Sequence, residues 1–441
     1  MTSPVITEQR VSAEPSRLLR PSIAEQVLAY GPFAILLFGP LAFGAVSPLP
    51  IFILEAGSAF LFSLWMVRQV QSRELSIAWN PAFAPMLAFL VIVTTQLATR
   101  QTTYRYATYS EGMLYIAYGL LCFLVVQTLR HISHLRILAT AISAYGFAIA
   151  LFALFQSVSA NGKLYWLITP RDGGWIYGPY VNHNHYAGLM EMLIPVPLVL
   201  AFTNFVGRST KRLAIISAAL MSASLFLSES RGGIIAFLVE IAIFAIFIAK
   251  RKSRFRATWT DVLFPLLILA LLVWLGGSQL TQRLASIRAE TKVEISGGVR
   301  MNILHDGLRM FRTKPLLGYG LGTFPEVYPQ FRSFSGEFWI NAAHNDYLQL
   351  LVETGILSFV VMLWFLWVVY SNAAKKLTNW AGDFNGTLTV IALLGCTGIL
   401  IHSSVDFNLH IPANAALFYV ICTLAAMEPR FPLRFHRKHR L

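Results

Sequence analysis

Apolar runs of about 16 to 25 residues recur along the whole chain, and each is long enough to cross roughly 30 Å of hydrocarbon as a helix. Twelve are predicted, over 27–46, 49–67, 81–98, 111–128, 137–157, 185–205, 213–228, 234–249, 262–277, 347–370, 387–404 and 411–427. The pattern predicts an all-α polytopic membrane protein with about twelve transmembrane helices and one long polar interruption, 278–346. An even number of spans puts both termini on one side.

Composition agrees. Some 56% of residues are hydrophobic and 13% charged, against about 25% charged in ordinary soluble chains. In water such a chain would expose large apolar patches, which excludes a soluble enzyme, a disordered chain and a fibrous repeat. The net charge of +14 would suggest nucleic acid in a soluble protein, but its distribution follows topology. With both termini inside, inner segments hold 22 of the 35 Lys and Arg. Of the other 13, eight lie in the loop 278–346, too long to count toward orientation. The run KRKSRFR at 250–256 and the tail FHRKHRL mark the inner side, and no nucleic-acid partner is expected. Residues 1–26 and 428–441 read as cytoplasmic tails, without a cleaved signal peptide, around a single transmembrane domain, 27–427. Cys122, Cys396 and Cys422 lie in apolar runs and read as buried thiols.

The outer side collects the unusual sequence. SANGKLYWLITPRDGGWIYGPYVNHNHYAG joins the fifth and sixth spans, and SESRGG joins the seventh and eighth. The long loop holds an amphipathic stretch, GGVRMNILHDGLRMFRTKP, then the turn-rich PLLGYGLGTFPEVYPQF, and NAAHNDYLQLLVETG enters the tenth span. Three residues carry candidate chemistry. Arg231 opens the eighth span, where helix dipole and free N–H groups favour an anion; it reads equally as an interfacial Arg or a partner of Glu229. Arg300 heads the amphipathic helix and offers a forked donor to a phosphate, or lies on a solvated face. His344 stands outside the tenth span, where a neutral imidazole accepts a proton from a hydroxyl or serves as a structural cap. The pair His183 and His185 has no adjacent carboxylate or Cys, so neither metal nor cofactor is expected. Trp166, Trp175, Tyr180, Tyr319 and Trp339 read as an interfacial belt or as sugar-stacking platforms. Glu55, Glu191, Glu240 and Glu353 lie within or near spans, where an ionisable group is costly.

Two outward arginines and a histidine beneath a long loop describe group transfer from a lipid pyrophosphate without a metal. The residues also resemble a family, the O-antigen ligase and polymerase superfamily. The resemblance rests on GPYVNHNHYAG at 178–188, SESRGG at 228–233, RMNILHDGLRMFRTKPLLGYGLGTF at 300–324 and AHNDYLQLLVETG at 343–355. The family's histidine motif maps onto His344, Asn345 and Gly355, with Ser358 where Gly, Thr or Tyr is usual. Its Arg and Leu four residues apart map onto Arg300 and Leu304, and its arginine before the eighth helix onto Arg231.

The resemblance implies a glycosyltransferase C-like fold with a catalytic region at 178–360. It implies inverting, metal-independent transfer of a glycan from undecaprenyl pyrophosphate to an acceptor hydroxyl, in surface polysaccharide or lipopolysaccharide assembly. The place implied is the periplasmic face of the bacterial inner membrane. His344 would be the base and Arg231 and Arg300 would hold the pyrophosphate. Asn182, His183 and His185 would line the sugar side, with Asn345 and Asp346 beside the base and Asp346 orienting it. Membrane lipids surround the chain, and the acceptor would be lipid A core or a second lipid-linked glycan. Ligase activity leads, with polymerase activity, protein O-glycosylation and a twelve-helix transporter as alternatives. The absence of an evident internal repeat and the long outer loop both argue against a transporter.

Overall fold

The computed structural model describes residues 22–428 except 74, 130–131, 160, 171–173, 204–205, 251–296, 336–338 and 379. Among these residues the chain is helical, without a β-sheet. The helices are α1 (Ile23–Leu41), α2 (Pro48–Ser72), α3 (Phe83–Ala98), α4 (Arg105–Thr128), α5 (Ile132–Val158), α6 (His183–Leu193), α7 (Pro195–Ala201), α8 (Arg208–Leu227), α9 (Arg231–Ala249), α10 (Gly297–Thr313), α11 (Asp346–Ala374), α12 (Phe384–His402) and α13 (Pro412–Ala426). A single helical turn stands at Phe324–Val327.

Eleven of the twelve predicted spans coincide with these helices; the ninth, 262–277, lies outside the described residues, as do most of both tails and of KRKSRFR. Among the described helices eight are long and apolar enough to cross a membrane, and α3 and α13 are shorter apolar helices. The sixth run is divided into α6 and α7 at Ile194, where Pro195 and Pro197 remove two backbone donors. The expected amphipathic helix of the outer loop is α10. The three cysteines are free and buried.

The central core is built where α12 packs on α9, α6 and α13, and α5 packs on α8. Met190, Leu193, Met221, Phe237, Ile399 and Phe418 interlock there, while Phe52, Phe60, Val91 and Trp367 point outward as a lipid-facing surface requires. Three of the motifs double as helix starts, because each carries a side chain able to satisfy the free N–H groups of a first turn. Asn182 accepts from Asn184 N (2.8 Å), Ser230 from Gly233 N (3.2 Å) and Asn345 from Leu348 N (2.9 Å).

The described residues of the long loop are anchored to the helices. They have their own apolar cluster, including Ile303, Met310, Phe324, Tyr328 and Leu348. Buried Asp306 accepts from Arg309, Tyr328 and Ser333, and despite the opposing effect of burial these bonds hold its carboxyl below the usual range. Helix α11 opens at Gly355, whose φ of 70° is a left-handed conformation; a Cβ there would overlap the Leu316 carbonyl. The carbonyls freed by this opening accept from the glycine-rich loop: Tyr319 N bonds Val352 O (3.0 Å) and Gly320 N bonds Glu353 O (2.8 Å). The Glu353 side chain accepts from Gly322 N and Phe324 N. Gln96 of α3 completes the staple by donating to Leu317 O and Glu353 O.

Candidate functional site

The turn joining α12 to α13, residues 403–411, gathers what the sequence holds far apart. Asp346 N donates to Ser403 O (2.9 Å), and the Asn345 amide to Ser404 O (2.9 Å). From α10, Arg300 Nη1 donates to Val405 O at 2.8 Å. From the other side, Gly232 in the first turn of α9 lies against Val405 and the His402 ring. The segments bearing His344, Arg300 and Arg231 thus converge on one short turn.

His344 is held in a left-handed backbone conformation, φ 49°, a costly state for a non-glycine residue that persists only when its surroundings enforce it. Glu229, just before the cap that presents Arg231, has φ 61°. His344 Nδ1 faces Asp406 Oδ1 at 3.6 Å, and its ring meets the edge of Phe407 at 4.9 Å. Asp406 is 1% exposed. Burial alone would raise its pKa, but contact with His344 and the charge of Arg300 hold the carboxyl well below the usual carboxylate range. An ionised carboxylate at Nδ1 favours the tautomer with its proton there, leaving the Nε2 lone pair for a substrate proton.

The remaining expected site residues fall into two groups. His185, 7% exposed, packs edge-on to Phe407 at 4.7 Å, in electrostatic range of Asp406, His344 and His402. His183 bonds Ser228 O at 2.7 Å and stacks on Trp175. Asn182 and Asn345 are helix caps. Asp346, expected to orient His344, does not face it: its Oδ1 pairs with His410 Nδ1 at 2.6 Å and its Oδ2 accepts from Leu409 N at 3.0 Å. Burial opposes a charge on His410, yet the bond to Asp346 and nearby Glu353 and Glu111 push its pKa up to about 9. Of the aromatics expected at the interface, Tyr180 is buried and donates to Asn414, whereas Trp339 is exposed.

Sequence reasoning missed Asp406, His402 and Phe407. Their one signal was an Asp and two His within nine positions, between two apolar runs, at a depth where ionisable groups are costly. Around them several buried polar atoms have no hydrogen-bond partner among the described residues: His185 Nε2, Glu191 Oε2, His344 Nδ1, which stands 3.6 Å from Asp406, Ser403 Oγ, Asp406 Oδ2 and Asn408 Nδ2. Folded proteins leave few such atoms unpaired, so their concentration here singles this region out as a candidate polar site.

Residues 216–373 match the O-antigen ligase family. Over that region the chain is similar to the O-antigen ligase family, in agreement with the resemblance carried by the sequence motifs. The match runs from within α8 nearly to the end of α11 and contains Arg231, Arg300, His344 and Gly355. Asn182, His183, His185 and Asp406 lie outside it; His185 packs on Phe407 in the turn 403–411, and His183 bonds Ser228 O inside the matched region. No curated protein matches the chain in sequence.

Proposed function

We propose that this chain transfers a glycan from undecaprenyl pyrophosphate to an acceptor hydroxyl, with inversion and without a metal, as an O-antigen ligase-like enzyme of lipopolysaccharide assembly. The proposed setting is the inner membrane, with both termini cytoplasmic, a catalytic region at 178–360 and the site facing the periplasm. The observation that carries the reading is the convergence of His344 with Asp406, Arg300 and the start of α9 on residues 402–408. The family match supports it as far as a membrane glycosyltransferase-like ligase or polymerase.

In this reading His344 Nε2 takes the acceptor hydroxyl proton as the oxygen attacks the anomeric carbon, and Asp406 stabilises the imidazolium. The bond from that carbon to the pyrophosphate oxygen breaks, and its electron pair leaves on the pyrophosphate. Arg231 and Arg300 hold that group through charge-assisted hydrogen bonds. As negative charge accumulates there, these contacts strengthen toward the transition state, which is the condition for catalysis. Asn182, His183 and His185 line the sugar side, with Asn345 and Asp346 securing the turn beside the base.

The test is a reconstituted assay with an undecaprenyl-pyrophosphate glycan, EDTA, and lipid A core, a second lipid-linked glycan or a peptide as acceptor. Transfer to lipid A core that survives EDTA and is lost in His344→Ala supports the reading. Full activity of His344→Ala would sink it, and transfer only to the second glycan would make the enzyme a polymerase.

A further inference from the structure

Two buried ionisable side chains next to the site have no part in the reaction just described. Glu191 of α6 is 0% and His402 of α12 1% exposed, and Glu191 Oε1 meets His402 Nδ1 at 2.8 Å. Burying such a pair inside a membrane protein is expensive and adds little stability compared with apolar residues of the same volume. Its position is therefore informative. His402 Nε2 lies 3.5 Å from the hydroxyl of Ser230, the residue that caps α9. The next two residues after Arg231 are glycines, and each makes room for one half of the pair. A Cβ on Gly232 would stand 2.6 Å from His402 Cδ2, and one on Gly233 would stand 3.2 Å from Glu191 Oε1 and 2.6 Å from Ala187 Cβ. The first turn of α9 thus rests directly on the imidazole and the carboxylate. Arg300 and Asp406 lie in electrostatic range of His402, and Glu240 of Glu191.

We propose that Glu191 and His402 are positioning residues for Arg231: through Ser230 and the glycine pair they fix the start of α9, and so set how tightly the leaving pyrophosphate is held. This rests on the reading of Arg231 as a pyrophosphate ligand. Glu191 fixes the ring through Nδ1, and Nε2 reaches the capping hydroxyl, as outer partners orient the groups that contact a substrate. The sequence SRGG then has one physical account, in which the arginine binds and the glycines admit its support.

The experiment uses the full-length chain in proteoliposomes, with inhibition of glycan transfer by inorganic pyrophosphate as the readout. Glu191→Leu and Gly232→Ala should each raise the pyrophosphate inhibition constant and the donor KM about 10- to 100-fold, with the acceptor KM unchanged. Glu191→Gln keeps an oxygen acceptor for Nδ1 and should restore the constant to within a few-fold of wild type. Combined with Arg231→Ala, Glu191→Leu should add almost nothing, because both act through one contact. Melting curves establish folding; if Glu191→Leu does not fold, Gly232→Ala and His402→Asn carry the same test. Folded variants with the wild-type inhibition constant, an equal loss toward the acceptor, or effects that multiply with Arg231→Ala would overturn the inference. Unchanged pyrophosphate inhibition in Arg231→Ala alone would instead remove the pyrophosphate reading, and this inference with it.

Discussion

At the scale of single residues the proposed site depends on pairs whose members face each other from distant parts of the chain. Asp406 is the buried carboxylate at His344 Nδ1. Asp406→Asn should therefore lower kcat by about 10²-fold or more with little change in either KM, since proton transfer by a positioned base contributes about 10²- to 10⁴-fold. If Arg300 holds the pyrophosphate as proposed, Arg300→Ala should cost about 10² to 10³ in turnover, and Arg300→Lys should recover little of it, because an ammonium cannot keep the bond to Val405 O and also fork onto a phosphate. His410 offers a pH test. Its pKa of about 9 in the folded protein exceeds the unfolded value near 6.5. The stability it contributes is complete below about pH 6.5 and lost as pH rises through about 9. The depressed carboxyl of Asp406 behaves oppositely and loses its contribution only on strong acidification. The wild-type melting temperature should fall between pH 7 and pH 10, and that slope should flatten in His410→Gln. His344 and Arg300 were legible because helix starts and an amphipathic face announce them. Asp406 was not, since no local pattern says which of several outer polar side chains meets the histidine.

At the scale of elements, the opening of α11 at Gly355 decides how the outer loop is seated. Hydropathy alone reads 347–370 as one uninterrupted helix, because it scores side chains and is blind to a carbonyl that turns aside to accept from another segment. The freed carbonyls of Val352 and Glu353 accept from Tyr319 and Gly320, and the Glu353 carboxylate accepts from Gly322 and Phe324. Gly355→Ala would force a side chain into both a left-handed conformation and the Leu316 carbonyl. It should destabilise the protein by at least about 1 to 3 kcal/mol, the cost for a non-glycine residue of this essentially glycine-only conformation, seen as a lower melting temperature. Hydrogen exchange of the Tyr319 and Gly320 amides should rise in the same variant and in Glu353→Leu. The glycine and the glutamate of the histidine motif were visible in the sequence, whereas their loop-seating role depends on contacts between separate segments.

At the scale of the whole molecule, the proposed orientation follows from basic residues in short loops. A cysteine at exposed Ser335, in the outer loop, should react with a membrane-impermeant maleimide added to intact cells, and one at exposed Ser209, at the start of α8, should react only after lysis. The reverse result would invert the topology. The outward apolar faces and the internal polar network imply that lipid surrounds the helices while the ionisable groups cluster inward, toward α6, α12 and the turn 403–411.

The sequence by itself determined the helical membrane class, the positions of the described helices apart from the break between α6 and α7, and the resemblance to a family. These depend on run length, apolar periodicity and short local motifs, which are properties of neighbouring residues. It also placed Arg231, Arg300 and His344 at helix starts or on an amphipathic face. Only the tertiary structure decided that Asp406 rather than Asp346 stands at His344, that Glu353 seats the loop, and that Glu191 and His402 underlie the first turn of α9. The physical reason is that a buried polar atom is satisfied by whatever the fold brings within about 3 Å, and that partner is chosen by the packing of helices far apart in the chain.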